Sequence, residues 1–239
     1  MSKKKEFKVP GNKQPVYSCF KLFLRLLFRR PEIINLAGDI PQRAIVIANH
    51  SNKSGPPALD MYYPVPTVKW GAYQMFGNFR SRREYLRDIL YIQKCGYSRA
   101  RASFLSPFLA AFNPMVYKGL RMIPSYPDGR LKQTVKNSCK VLDANMSVMI
   151  FPENSNNGYK DVLTELFSGF VLLAEKYYRY SGQDIPVIPV YYCVKKRIMV
   201  IGKPGYVHEM AAEGLNKHQI AERFRTEING LYYDYVQNR

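Results

Sequence analysis

The sequence is poor in the residues that build metal centres and disulfide frameworks. It has only three histidines and four cysteines, and no two cysteines stand at the CxxC spacing of a metal-ligand pair. Such a set gives a zinc site little to build on, and we predict neither a metal nor a tightly bound cofactor. We expect all four cysteines, Cys19, Cys95, Cys139 and Cys193, to be reduced, as in a cytosolic compartment, and to serve only in packing.

Long apolar runs are also missing. The nearest approach to one, residues 104–116, is broken by Pro107, Asn113 and Pro114, so we predict no membrane-spanning helix. The first residues are polar and lysine-rich, so we expect no signal peptide there. A hydrophobic share of 46% with 23% charged residues is an ordinary globular balance and excludes wholesale disorder.

Acidic residues are scarce in the first part of the chain. Residues 1–140 carry 25 Lys and Arg against 7 Asp and Glu, whereas residues 141–239 carry 11 of each, so the whole net charge of +18 lies in the first part. A one-sided positive field favours a polyanionic partner, either nucleic acid or anionic lipid headgroups. The sequence has no helix-turn-helix, RNP or zinc-finger pattern, and we predict no nucleic-acid partner.

One short segment combines this charge with apolar residues. In residues 16–31 the apolar and aromatic side chains recur at helical spacing, and the opposite side carries only basic residues, Lys21, Arg25 and Arg29. This pattern is typical of an amphipathic helix that lies in a membrane interface. The alternative is a surface helix packed on its own domain. A second basic and aromatic stretch, residues 66–130, indicates either a solvated helical surface or another membrane-facing or substrate-facing region.

Apolar runs alternate with helical patterns along the rest of the chain. The runs predict buried strands at residues 43–49, 147–152, 185–194 and 197–201. Helical spacing predicts helices at residues 162–180 and 220–235. We therefore predict an α/β fold, a single domain with a mixed, largely buried sheet flanked by helices. The predicted divisions are a basic polar segment, an amphipathic helix and the α/β domain, at residues 1–15, 16–31 and 32–239.

Four motifs follow one another in order. They are Asn-His after the first predicted strand, Gly-Leu-Arg-Met-Ile-Pro, Phe-Pro-Glu-Asn after the second strand, and Val-Ile-Pro-Val in the third, beginning at Asn49, Gly119, Phe151 and Val187. Together they resemble the four blocks of the glycerolipid acyltransferases, the lysophospholipid (1-acylglycerol-3-phosphate) acyltransferase family. The likeness covers roughly residues 15–205.

This resemblance implies an enzyme of known chemistry. It implies a membrane-associated O-acyltransferase that moves a fatty acyl group from acyl-CoA or acyl carrier protein to a hydroxyl or amine of a lysophospholipid or other lipid-like acceptor. The acyl donor is a co-substrate, and no cofactor is needed. The resemblance also implies a peripheral or monotopic protein on the cytoplasmic face of a membrane, in contact with anionic lipids.

The reaction also defines the roles of candidate residues. An acceptor hydroxyl attacks a thioester while a His removes the hydroxyl proton as general base, and a carboxylate normally orients the imidazole. We assign the base to His50. The family has an Asp five residues after this His, but Gly55 stands there, so the nearest candidate carboxylate is Asp60. We predict substrate-binding roles for Asn49, Glu153 and Asn154. Lys53 and Arg130 are candidates to replace phosphate-binding cations that the family has and this chain lacks, and the alternative for both is an ordinary surface cation.

The chain departs from the family where the family binds phosphate. Asn154 replaces a Gly, Asn156 falls where the family has an Arg, and Ser168 falls where it has a Lys. Each charged hydrogen bond of this kind is worth roughly 1.5–3 kcal/mol. Two hypotheses therefore stay open: an acyltransferase with a changed acceptor headgroup, and a non-catalytic lipid-binding relative of the same fold.

Overall fold

The computed structural model describes residues 7–11, 17–19, 21–22, 25, 29–51 and 54–239. Its strands are β1 Glu32–Asn35, β2 Ile45–Ala48, β3 Thr67–Ala72, β4 Met122–Ser125, β5 Ser147–Ile150, β6 Pro186–Cys193, β7 Ile198–Ile201 and β8 Gly205–Tyr206. They form one sheet in the spatial order β1-β7-β6-β2-β5-β3-β4, with β8 paired to β6. The sheet is mixed, because β6 runs antiparallel to β7 and β8 while the other described pairs are parallel.

Helices cover both faces of this sheet. They are α1 Gly55–Tyr62, α2 Phe79–Glu84, α3 Arg99–Gly119, α4 Leu131–Asp143, α5 Gly169–Ser181, α6 Val207–Ala212 and α7 Lys217–Tyr235. Along β2, Ile45 and Ile47 belong to a large core with α4, α5 and α7, whereas Val46 and Ala48 belong to a smaller core with α1. Because β2 is buried on both sides, its sequence is a continuous apolar run. The predicted fold class is confirmed.

Several elements differ from the prediction. The strands β1, β3 and β4 lie in segments where no strand is predicted. The strand β4 contains Pro124 but lies at the edge of the sheet, where a missing N–H is tolerated. The helix predicted at residues 162–180 begins only at Gly169, because the backbone of Glu165 and Phe167 pairs with the backbone that follows β5.

The long helix α3 continues through two prolines that interrupt its apolar run. A proline has no N–H to donate to the carbonyl four residues earlier. For Pro114 that carbonyl belongs to Ala110, and Nε of Arg82 donates to it at 2.9 Å. An arginine from the neighbouring helix α2 thus replaces a hydrogen bond that the helix itself cannot make.

The amphipathic helix predicted at residues 16–31 lies partly outside the described residues, as does most of the predicted segment 1–15. The described members that are helical are Tyr17–Cys19, Lys21–Leu22 and Arg25. No helix in the described ranges is both long enough and apolar enough to cross a bilayer.

The described part of this N-terminal helix touches the α/β domain. Tyr17 is buried, and its ring lies so close to Gly119 that a Cβ there would be 2.1 Å from Tyr17 Cδ2. The Nζ atom of Lys21 lies 2.6 Å from the carboxylate of Asp60. The start of the helix is therefore docked on the domain, and a role of its remaining residues in a membrane interface stays a prediction.

Candidate active site

The two motifs that follow β2 and β5 meet at one edge of the sheet. The two strands are parallel neighbours with Ile47 opposite Ile150, so both carboxyl ends lie at the same edge. The backbone N–H of His50 donates to Oε2 of Glu153 at 2.9 Å. The sheet topology thus joins residues 103 positions apart in the sequence.

The imidazole of His50 is partly buried between two aromatic rings. Its centroid lies 4.7 Å from that of Phe151 and 5.2 Å from that of Tyr159. The Nδ1 atom is enclosed and has no hydrogen-bond partner among the described residues. Burial, together with the positive charge of Lys94, lowers the pKa of His50 to about 3. The imidazole is therefore neutral at physiological pH and is a weak base in this state.

The Glu153 carboxylate is held in place by the backbone around it. Glu153 is only 7% exposed, and burial raises its pKa, although the N–H groups of His50 and Lys160 and the charge of Lys94 oppose this rise. The segment is clamped from the side, since Asn154 N–H donates to the Glu165 carbonyl at 3.1 Å. This carboxyl group is thus fixed beside His50.

Sequence reasoning missed Lys94. This residue ends a π-helical segment, Tyr85–Lys94, and its Nζ lies 5.8 Å from the centroid of the Tyr159 ring. Burial lowers the pKa of Lys94, while the charge of Glu153 raises it. A cation therefore stands beside the His50 and Glu153 pair. Its position depends on the packing of the segment between β3 and β4, and no motif spacing in the sequence points to it.

Asn49 and Asn154 support the site through the backbone. The buried amide of Asn49 donates to the Tyr192 carbonyl at 3.0 Å and accepts from the Tyr192 N–H at 2.8 Å, which ties the end of β2 to β6. Nδ2 of Asn154 donates to a Glu165 carboxylate oxygen at 2.5 Å, and its Oδ1 accepts from the Asn156 N–H at 3.2 Å. In this structure both side chains shape the loops that carry His50 and Glu153.

The structure does not bring Asp60 to His50. The helix α1 begins beside His50 and must run back toward the opposite edge of the sheet, because the strands β2 and β3 that it connects point the same way. Asp60 lies near the far end of α1, where its carboxylate contacts Lys69 at 2.5 Å and Lys21 at 2.6 Å. Asp60 is therefore the centre of a buried ion cluster, and among the described residues no carboxylate partners Nδ1 of His50.

Gly55 lies in a turn that has no room for a side chain. Its N–H donates to the His50 carbonyl at 3.0 Å, which closes a tight turn between β2 and α1. A Cβ at this position would lie 2.0 Å from that same carbonyl oxygen. Backbone cannot move aside as a flexible side chain can, so this turn accepts only glycine.

Arg130 lies at the same edge of the sheet as His50 but away from it. Its guanidinium pairs with Asp128 at 2.7 Å and stacks on the rings of Tyr73 and Tyr126, at 4.8 and 4.4 Å from their centroids. These residues follow β3 and β4, so three strand spacings, about 14 Å, separate the ends of β2 and β4. The remaining predicted residue, Lys53, lies outside the described residues.

Other candidate sites in the described part of the chain do not coincide with this one. No group of three or more His, Cys, Asp or Glu there could hold a metal ion. A cavity of about 510 Å³ lies among Arg43, Tyr177 and Asp184. Arg43 precedes β2, so this cavity lies at the amino edge of the sheet, opposite to His50.

Comparison with known proteins supports the fold. No protein-family model matches the sequence, and no curated protein matches it either. Among solved structures, the chain is similar to the crystal structure of the 1-acyl-sn-glycerophosphate (LPA) acyltransferase PlsC from Thermotoga maritima, with a TM-score of 0.50. The match covers 94% of this chain and 90% of the other at 13% sequence identity. At that identity the likeness shows a shared fold.

Proposed function

We propose that the protein is a membrane-associated acyltransferase that moves a fatty acyl group from acyl-CoA or acyl carrier protein to a lysophospholipid or other lipid-like acceptor. The observation that carries this proposal is the pairing of His50 with Glu153 at the carboxyl edge of the sheet, in a fold shared with an LPA acyltransferase. The basic first part of the chain suits the anionic, cytoplasmic face of a membrane.

The chemistry requires one base and one nearby positive charge. The acceptor hydroxyl attacks the thioester carbonyl, and His50 takes the hydroxyl proton as the new C–O bond forms. The C–S bond then breaks, and the leaving thiolate takes the proton from His50, which restores the neutral imidazole. Because Nδ1 is enclosed, we assign proton transfer to Nε2. Lys94 is assigned to the negative charge of the acceptor headgroup or of the carbonyl oxygen.

Acyl transfer can be measured directly. Wild type, His50→Ala, His50→Gln and the control His218→Ala, which changes a histidine in the first turn of α7, would be incubated with labelled acyl-CoA and acyl carrier protein and a panel of lysolipid, glycolipid and aminolipid acceptors. We expect a lipid product from wild type and the control, and a loss of about 100-fold or more in both His50 variants. A product of equal yield from all four proteins would overturn the assignment of His50.

Lys94 can be tested in the same assay. We expect Lys94→Gln to lower kcat/KM by about tenfold or more, since charged hydrogen bonds of this kind contribute roughly 1.5–3 kcal/mol. Lys118→Gln, an exposed lysine at the end of α3, is the matched control and should leave kcat/KM unchanged. An equal effect of the two changes would show that Lys94 acts only through the general field.

The second candidate is a lipid-binding relative without turnover. The unpartnered Nδ1 of His50 and its low pKa favour it, because a weak and unoriented imidazole is a poor general base. This candidate predicts that no acceptor yields product while lysolipid binding, measured by calorimetry, is the same in wild type and His50→Ala. Any product that depends on His50 would exclude it.

A further inference from the structure

The helix α3 presents several large apolar residues to solvent. The buried members of the helix are mostly small or polar, namely Ala102, Ser106, Ala110, Asn113 and Gly119. Four large apolar side chains are exposed by between 40% and 68%, namely Phe104, Phe108, Phe112 and Met115, while Leu105, Leu109 and Tyr117 are partly buried against a small core cluster. The outer face of α3 is thus apolar, whereas a helix packed on a globular core usually has a polar outer face.

The exposed residues form one continuous stripe. Their spacings of four, four and three residues keep them within about 80° of each other around the helix, over a length of about 17 Å. The rings of Phe104 and Phe108 lie 5.6 Å apart. We call these residues, Phe104, Phe108, Phe112 and Met115, the aromatic ridge.

No polar side chain interrupts the ridge. Between residues 102 and 117, every exposed residue of α3 is apolar, since the remaining exposed positions are Ala111 and Pro114. Three phenylalanines exposed to this degree present roughly 350–400 Å² of apolar surface. A patch of that size on a soluble protein is commonly a binding surface.

The charges around the ridge indicate which surface it meets. The exposed charged residues of α3 stand at its two ends and are all basic, Arg99, Arg101 and Lys118. An apolar aromatic face with cations at its borders is complementary to a bilayer with anionic headgroups, where the rings enter the acyl boundary and the cations meet phosphates.

The position of the ridge is consistent with this partner. The segment that leads into α3 carries Lys94, beside His50 and Glu153, and the last residue of α3, Gly119, contacts Tyr17 of the N-terminal helix. The ridge thus runs from the neighbourhood of the candidate active site to the start of the predicted amphipathic helix.

We propose that the aromatic ridge of α3 is the surface by which this protein docks on an anionic bilayer. This inference deepens the proposed function by naming the face that meets the membrane. It stands on the geometry of α3 alone, and its test measures binding rather than turnover, so that each proposal can fail without the other.

Binding to vesicles of phosphatidylcholine and phosphatidylglycerol in a 7:3 ratio would be measured for the full chain by sedimentation. The test variant is Phe104→Ser/Phe108→Ser/Phe112→Ser, and the matched control is Tyr180→Ser/Tyr233→Ser, which removes two exposed rings from α5 and α7. Burying a phenylalanine contributes about tenfold or more to partitioning, so we expect the triple variant to bind at least about 100-fold more weakly. The control should bind like wild type.

A position-specific readout separates docking by the ridge from docking elsewhere. Phe108→Trp and Tyr180→Trp each add one tryptophan to Trp70, which is only 9% exposed. Brominated lipids should quench the new fluorescence of Phe108→Trp and leave that of Tyr180→Trp unchanged. Circular dichroism of all variants should be unchanged, because the altered side chains are exposed.

The inference is overturned by any of three results. The first is a wild type that fails to bind these vesicles at low salt, and the second is a triple variant that binds as tightly as wild type. The third result is a ridge that mediates self-association, seen as a dimer by ultracentrifugation that the triple variant loses while vesicle binding is unaffected.

Discussion

Replacing Lys69 by methionine should destabilise the protein strongly. The ammonium group of Lys69 is completely buried in the strand β3, where Nζ lies 2.5 Å from Oδ1 of Asp60 and donates to the Thr67 carbonyl at 3.2 Å. The Asp60 side chain is only 3% exposed, and Lys21 supplies the second cation. Methionine keeps most of the length and apolar volume of the lysine stem, so Lys69→Met removes the charge with little change in packing.

The size of the effect follows from the unpaired charge that remains. Removing one partner of a buried ion pair costs about 3–5 kcal/mol, because the other charge stays in a medium of low polarity. Lys21 still neutralises part of Asp60, so we expect the lower end, about 3 kcal/mol. This loss concerns the free energy of unfolding at pH 7.

The stability that Asp60 contributes should depend on pH in a defined direction. Burial raises the pKa of Asp60, but Lys69 and Lys21 outweigh this effect and hold the pKa below its ordinary value. The stability that Asp60 contributes is therefore present above the ordinary pKa, about 4, and is lost as the pH falls below it. Without Lys69 the preference of Asp60 for its charged form is weaker. The difference in unfolding free energy between wild type and Lys69→Met should therefore become smaller as the pH falls.

Guanidinium unfolding at pH 7 and at pH 4 would measure the effect for wild type, Lys69→Met, Asp60→Asn and the double variant. Lys195→Met is the control, because the Lys195 and Asp161 side chains are 4.0 Å apart and 81% and 60% exposed, and pairs of this kind contribute about 0–1 kcal/mol. The double variant should be less destabilised than the sum of the single variants. A loss of less than about 1 kcal/mol for Lys69→Met, or one equal to that of the control, would refute the reasoning.

Three further outcomes are expected. Burial lowers the pKa of His50 to about 3, so between pH 7 and pH 4 its imidazole takes up a proton mainly in the unfolded chain. The free energy of unfolding of wild type should therefore fall by about 2 kcal/mol over this range, after allowance for partial exposure. Urea titrations should show that His50→Gln loses less of its unfolding free energy. Gly119→Ala places a Cβ 2.1 Å from the Tyr17 ring, so limited proteolysis should cut the N-terminal helix faster than in wild type. Gly230→Ala in α7 has open space around the added methyl group, so it should raise the unfolding free energy by about 0.5–1 kcal/mol in the same titrations.

The central strands could be predicted from the sequence because each is buried on both faces. The strands β2, β5, β6 and β7 appear as continuous apolar runs, and the loops after β2 and β5 carry the motifs that the sheet brings together. The strand β3 is also buried, but it contains the charged Lys69, so its sequence is not a continuous apolar run and does not predict a strand. Only the pairing with Asp60, distant from any strand pattern, makes a lysine tolerable there.

The candidate site could be predicted in part. The pairing of His50 with Glu153 follows from two motifs at the ends of neighbouring strands, as expected for parallel sheets. The place of Asp60 could not be predicted from distance along the chain, because α1 carries each successive residue farther from His50. The role of Lys94 could not be predicted, because its position depends on how the helices between β3 and β4 pack. Such packing leaves no fixed residue spacing in a sequence.

The tight turn between His50 and Gly55 restricts how this protein can change. An oxygen atom 2.0 Å from the site of a Cβ blocks every side chain at position 55, an aspartate included. A carboxylate for the imidazole would therefore have to come from another position of the loop or from a loop of different length. Every single substitution of Gly55 is therefore expected to lower the stability of this turn.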